Sequence, residues 1–227
     1  MEKKEIIQIS VRNLVEFILR SGNLDNRRTF AADKEAMLKG SKIHRKIQKQ
    51  MKASYRAEVP LQWDQEYDEF IIRVEGRADG IIEEEGHTVI DEIKGVYMEL
   101  VYLEEPISVH KAQAMCYAYM YGKPLKKENI EVQMTYCQIE TEEIKRFRET
   151  FSISYLKKWF EDLMAEYYKW AEFQYRRRME RQISMEGLEF PYPYREGQRE
   201  LVTGVYHTIH KGRQLFIQAP TGIGKTM

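Results

Sequence analysis

The chain has 227 residues, 43% of them hydrophobic and 32% charged, which describes a folded chain with room for one domain and part of another. No apolar run approaches the ~18 residues of a membrane span, and the start, "MEKKEIIQIS", has charges but no apolar region behind them, so the cytoplasm is the expected compartment. Thirty-six basic residues balance 36 acidic ones, so a polyanion would have to be held by local patches rather than by a whole-molecule field.

Ser10 precedes "VRNLVEFILR", whose Val11, Leu14, Val15 and Ile18 recur at helical spacing. Ser10 is the expected N-cap and Gly22 the expected stop. A second helix is expected over residues 34–51. A β section follows: "YRAEVPLQW", "EFIIRVEGRADGIIE" and "HTVIDEIKGVYMEL", with the polar turn "EEEGH" making the last two a hairpin. Residues 104–121 read as a helix closed by Gly122 and Pro124. "IEVQMTYCQIE" alternates as a strand, and "EEIKRFRETF" is expected to pair with it. Residues 153–181 form a long helix, with Trp159, Phe160, Leu163, Tyr167 and Trp170 as its core face. Arg176, Arg177, Arg178 and Arg181 form its solvated end, favoured there by the helix dipole. Cys116 and Cys137 fall in apolar patterns and read as small core residues. Two cysteines cannot supply the four thiolates of an iron–sulfur cluster, so none is expected here. "MEGLEFPYPY" reads as a linker. Beyond it come a helix, "REGQRELVTGVYHTIHKG", a strand, "RQLFIQA", and the glycine loop "PTGIGKT".

The hairpin holds unexpected charges. Side chains alternate along a strand, so Glu92 and Lys94 share a face while Asp91 points the other way. Asp79 lies near the end of the preceding strand. Two carboxylates can then converge beside an ammonium, an arrangement suited to a hard divalent cation, Mg²⁺ or Mn²⁺. Acid–x–Lys is common by chance as a cross-strand salt bridge. Its accompaniment is less so: "GRADG" at hairpin distance before it, His44 in "GSKIHRKI" upstream, and Gln113 and Tyr117 at i, i+4 in "QAMCY" downstream.

Together these pieces resemble the PD-(D/E)XK nucleases of the RecB-like exonuclease branch over roughly residues 10–181. The resemblance implies a restriction-endonuclease-like α/β fold, a mixed sheet flanked by helices, and a hydrolase acting on DNA. It implies metal ligands at His44, Asp79, Glu92 and the carbonyl of Ile93. It implies catalytic roles for Asp79, Glu92 and Lys94, with Gln113 and Tyr117 holding DNA or the lysine. The proline that precedes the aspartate in this family is Ala78 here. His110 and Lys111 are weaker candidates for phosphate contact.

"APTGIGKT" follows an apolar stretch and fits a Walker A loop. In such loops the amides of Thr221, Gly222 and Gly224 cradle phosphates, Lys225 reaches the β/γ-phosphates and Thr226 holds Mg²⁺. With "PYREGQREL" before it, this segment resembles the DinG/XPD-like superfamily 2 DNA helicases, which implies that Gln198 reads adenine. The expected organisation is a nuclease domain over 1–182, a linker over 183–193 and the beginning of an ATP-binding helicase domain over 194–227. The loop lacks a following helix, so the chain reads as part of a longer protein. The expected partners are ATP and single-stranded or unwound DNA. The rival reading is a nuclease fold kept only as a DNA clamp for the motor.

Overall fold

A computed structural model describes residues 4–21, 30–84, 86–189 and 191–218. The chain divides into two compact units, residues 1–175 and 176–227. The first is a six-stranded mixed sheet with helices on both faces.

Strand β1 (Glu5–Ser10) leads directly into helix α1 (Val11–Ile18). Ser10 caps α1 as its spacing predicts, its Oγ accepting the Asn13 amide at 3.2 Å. The helix ends at Leu19, before the expected stop at Gly22, which lies outside the described residues. Helix α2 (Phe30–Gln50) begins earlier than the sequence predicts. Strands β2 (Tyr55–Glu66), β3 (Phe70–Glu84) and β4 (His87–Val96) follow. A short 3₁₀ turn (Leu100–Tyr102) precedes helix α3 (Ser108–Gly122). The predicted helix start at Glu104 is therefore too early: Pro106 follows it, and the residue before a proline is pushed out of the helical region. Strands β5 (Asn129–Gln138) and β6 (Ile144–Ser152) and helix α4 (Ile153–Met185) complete the order.

β3 organises the sheet. Along one edge it pairs antiparallel with β2. Along the other it pairs first with β1, in parallel, through Glu75, and then with β4, antiparallel, from Gly80 onward. Residues 76–79 fall between these two ladders. β4 pairs in parallel with β5, and β6 closes the far edge.

The two sheet faces are covered differently. On one, Ile90, Met134 and Tyr136 pack in a core with Ala114, Tyr117 and Ala118 of α3 and with Leu156, Phe160 and Leu163 of α4. On the other, Ile93 and Cys137 pack against Ile43 and Ile47 of α2. Both cysteines are free and buried. Trp170, predicted as core, is 41% exposed and packs on Phe17 and Phe173 at the rim. No described helix is long and apolar enough to cross a membrane.

In the second unit, helix α5 (Gln198–His210) forms, with Gln198 accepting the Arg195 amide at 2.9 Å through its side chain. The predicted strand over 213–219 is absent from the described residues 213–218. A strand is held by its neighbours, and none of the described residues pairs with this segment. The candidate ATP residues Thr221, Gly222, Gly224, Lys225 and Thr226 lie outside the described residues.

Gly80, the first β3 residue paired with β4, is a required glycine. A Cβ there would lie 1.9 Å from the ring of Tyr55. Gly80→Ala is expected to lower stability by roughly 1–3 kcal/mol. Gly40, inside α2 with nothing nearby, makes the opposite case: Gly40→Ala should raise stability by about 0.5–1 kcal/mol. Thermal melts of the two variants check both signs.

Candidate active site

The break between the β1 and β4 ladders places Asp79 beside β4 where the strands no longer pair backbone to backbone. Its side chain takes over: Asp79 Oδ2 accepts the Ile93 amide at 2.7 Å. Asp79 Oδ1 lies 3.2 Å from His44 Nδ1 of α2. The contact recorded at Ile93 is therefore through its amide N–H.

Glu92 and Lys94 sit on the β4 face turned toward α3. Lys94 Nζ pairs with Glu92 Oε1 at 2.8 Å. Burial, with Asp79 close by, raises the Glu92 carboxyl from its ordinary 4.5 to about 7, against the pull of Lys94 and His44. Burial alone would lower the pKa of His44. The hydrogen bond and charge of Asp79 outweigh it, and the net shift is upward.

On the same side of the sheet as Glu92 and Lys94, opposite α2, helix α3 supplies Gln113 and Tyr117, both buried. The Tyr117 hydroxyl lies against the Gly76–Arg77 backbone, where a Cβ on Gly76 would approach it to 2.6 Å. Burial and the charges of Glu92 and Asp79 raise its pKa. His110, also on α3, has Nδ1 3.3 Å from the Tyr136 hydroxyl. That hydroxyl already accepts the Ile107 amide at 2.9 Å. Burial, then Lys94, lowers His110 to about 4, so its ring is neutral near pH 7.

Sequence reasoning missed Glu58. It stands on β2 across from Asp79, between the pairs Ala57↔Gly80 and Val59↔Ala78. Its φ of 54° interrupts that ladder, a backbone state rarely taken by a residue with a side chain. Gln48 of α2 bridges the two acids' strands, its Nε2 donating to Glu58 Oε1 at 3.1 Å and to the Asp79 carbonyl at 3.0 Å. His44, Glu58 and Asp79 each place one ligand atom within 4.8 Å of the others. The sequence signal for Glu58, one acid between Ala57 and Val59, is too common to single it out.

Asp91 makes an instructive contrast. It is fully buried on the opposite face, where Thr135 Oγ1, Gln133 Nε2 and Tyr55 OH donate to it at 2.6, 2.9 and 3.2 Å. Every donor it needs comes from the protein. Glu92 Oε2 and Gln113 Oε1 are also buried, yet no described residue donates to either. Buried polar atoms in native proteins are nearly always satisfied. A buried carboxylate oxygen without a donor, with the Asp79 charge close by, is what a cation would complete. The donor set, all oxygen with one imidazole, suits Mg²⁺ or Mn²⁺.

The sequence matches the PD-(D/E)XK nuclease superfamily over residues 5–184. The chain belongs to that superfamily. No curated protein matches it. Similar solved structures include the crystal structure of SSO0001, at 17% identity and a TM-score of 0.45, covering 73% of this chain and 78% of that one. Another is an alkaline exonuclease, LHK-Exo, from Laribacter hongkongensis, at 12% identity and a TM-score of 0.45, covering 78% and 94%. Its complex with dAMP stands at 13% identity and a TM-score of 0.45, covering 77% and 94%.

The raised pKa of Glu92 has a measurable consequence for the metal-free protein. A carboxyl whose folded-state pKa lies above its unfolded value supports the fold fully below about 4.5 and loses that support as pH rises through about 7. In chelator, Glu92→Gln should therefore melt higher than the parent protein at pH 8, by on the order of 1–3 kcal/mol. The gap should close at pH 5. Thermal melts at the two pH values measure it.

Proposed function

We propose that the first unit is a metal-dependent DNA nuclease, cleaving phosphodiester bonds in single-stranded or unwound DNA. The observation that carries this reading is the pair Asp79 and Glu92, with Glu92 Oε2 buried and without a donor among the described residues and Lys94 bound to its other oxygen. Asp79 and Glu92 would hold the metal, with His44 and Glu58 completing the polar shell on the α2 and β2 sides. A bound Mg²⁺ or Mn²⁺ supplies Lewis acidity at a phosphate oxygen and a lowered pKa for attacking water.

The remaining work falls to side chains. With Glu92 holding a cation, Lys94 Nζ would be free to orient the attacking water or to meet negative charge on the phosphate. Gln113 presents an amide to the same face, and its unsatisfied oxygen can accept from a water. Tyr117, kept protonated by burial, can donate to a phosphate oxygen or position Lys94. Neutral His110 behind Lys94 adds no competing positive charge there. The rival reading, a clamp without chemistry, is disfavoured by the retention of Asp79, Glu92 and Lys94 in one site.

The attachment of this unit to an ATP-dependent helicase is a second proposal. Its support is the sequence "APTGIGKT" with Gln198 and "PYREGQREL" before it. In a protein that continues into the motor, Lys225→Ala should remove ATP hydrolysis and leave cutting of single-stranded DNA intact.

For the nuclease itself, Asp79→Ala and Lys94→Ala should each reduce Mg²⁺-dependent degradation of DNA by about 10²-fold or more, with the fold retained by circular dichroism and a lower melting temperature, because each removes a partner of a buried group. Glu58→Gln should raise the metal concentration needed for half-maximal rate, by roughly tenfold. Asp91→Ala should cost stability, because it strips three donors of their acceptor, and the folded fraction should still cut. Loss of cutting in Asp91→Ala at full foldedness, with activity retained in Lys94→Ala, would refute the assignment of faces.

A further inference from the structure

The segment that leaves β4 after Lys94 exposes an unusual run of large side chains. Tyr97 is 52% exposed, Val101 71% and Tyr102 73%, with Met98 beside them. Isolated apolar residues at a surface need no explanation, but a cluster of this kind marks contact with another molecule. Neither tyrosine ring packs against another ring or a cation among the described residues, while most aromatic side chains of the sheet unit do.

The segment is held firmly. Leu100, the first residue of the 3₁₀ turn, and Leu103, its C-cap, are buried in the main core. Their burial turns Val101 and Tyr102 outward. Lys145 Nζ donates to the Leu100 carbonyl at 3.1 Å, and Gln138 Nε2 to the Tyr97 carbonyl at 3.3 Å. The rings are thus presented by an anchored backbone, which lowers the entropy lost when a ligand lands on them.

We propose that Tyr97 and Tyr102 form a stacking platform for the unpaired bases next to the scissile phosphate. This rests on the nuclease reading above and makes single-stranded nucleic acid the preferred substrate class. Tyr97 is three residues beyond Lys94, no more than about 10 Å along an extended chain, a span of one or two nucleotides. Lys94, Tyr136 and Lys145 lie in register across β4, β5 and β6, so two ammonium groups flank the approach. Glu99, Glu104 and Glu105 lie in the same segment. Their charge repels phosphates from the platform, so a strand has to turn its bases toward the tyrosines and its backbone toward the lysines. A base-paired strand has no bases free to do so. Stacking on an aromatic ring is tolerant of sequence and is worth roughly five- to a hundredfold in affinity per base.

The test is binding by fluorescence anisotropy with Ca²⁺ in place of Mg²⁺, using a labelled 12-nucleotide DNA strand and a sugar-phosphate strand of equal length without bases. The parent protein should bind the base-bearing strand at least tenfold more tightly than the base-free one. Tyr97→Ala/Tyr102→Ala should reduce that ratio to about threefold or less, and Tyr97→Phe/Tyr102→Phe should preserve it. Equal affinity of the parent for both strands, or an unchanged ratio in the alanine variant, overturns the platform. So does a change of sedimentation state in the alanine variant with DNA binding intact, which would assign the patch to a second copy of the chain. A parent protein that cuts DNA in Mg²⁺ but shows no preference for bases refutes the platform alone. One that neither binds nor cuts refutes the nuclease reading beneath it.

Discussion

The structure depends on one strand changing its partner. β3 is flanked by β1 as far as Glu75 and by β4 from Gly80, and between them the sheet edge is open. Backbone groups left there must be satisfied. The Asp79 carboxylate does this for the Ile93 amide, and the Tyr117 hydroxyl approaches the Gly76–Arg77 backbone. The same opening lets helices on opposite faces reach one point. His44 comes from α2 and Tyr117 from α3, and in a continuous sheet these would be separated by its thickness. A gap in hydrogen bonding is thus what allows a polar site to exist inside a β-rich core.

Two neighbouring acids show how burial separates a structural role from a chemical one. Asp91 and Glu92 are consecutive and almost fully buried, and both are pushed toward the neutral form by desolvation. Asp91 is given three donors, two from the adjoining strand β5 and one from Tyr55 of β2. Among the described residues Glu92 is given one, a lysine, and its other oxygen has none. An unsatisfied buried acceptor costs on the order of 1–3 kcal/mol, a cost that a bound cation would remove. The strained φ at Glu58, facing Asp79, belongs to the same economy: local stability is spent where ligands converge.

Much of this was legible in the sequence, for reasons that can be named. Alternation fixed Glu92 and Lys94 on one face and Asp91 on the other, and the i, i+4 spacing put Gln113 and Tyr117 on one side of α3. Ser10 as a cap, the hairpin and the family membership also followed from local patterns. What escaped was set by tertiary pairing. β1 is one of these: "EIIQIS" is six residues long and becomes a strand through its parallel pairing with β3, about 65 residues away along the chain. Glu58 becomes conspicuous only once the register sets it opposite Asp79. The stretch "RQLFIQA" has a strand's composition, yet it forms none in the described residues, because composition cannot provide the neighbouring strand. Trp170 matched the helical period but fell at the edge of the helix face, where the core ends.

The most direct test of the account is the position of a bound cation. Crystals soaked in Mn²⁺ and measured at the manganese absorption edge would locate it by anomalous scattering. The account predicts a peak held by both Asp79 and Glu92, with Lys94 displaced from Glu92 Oε1. A peak confined to His44, Glu58 and Asp79 with the Glu92–Lys94 pair intact, or no peak at Asp79, would contradict it.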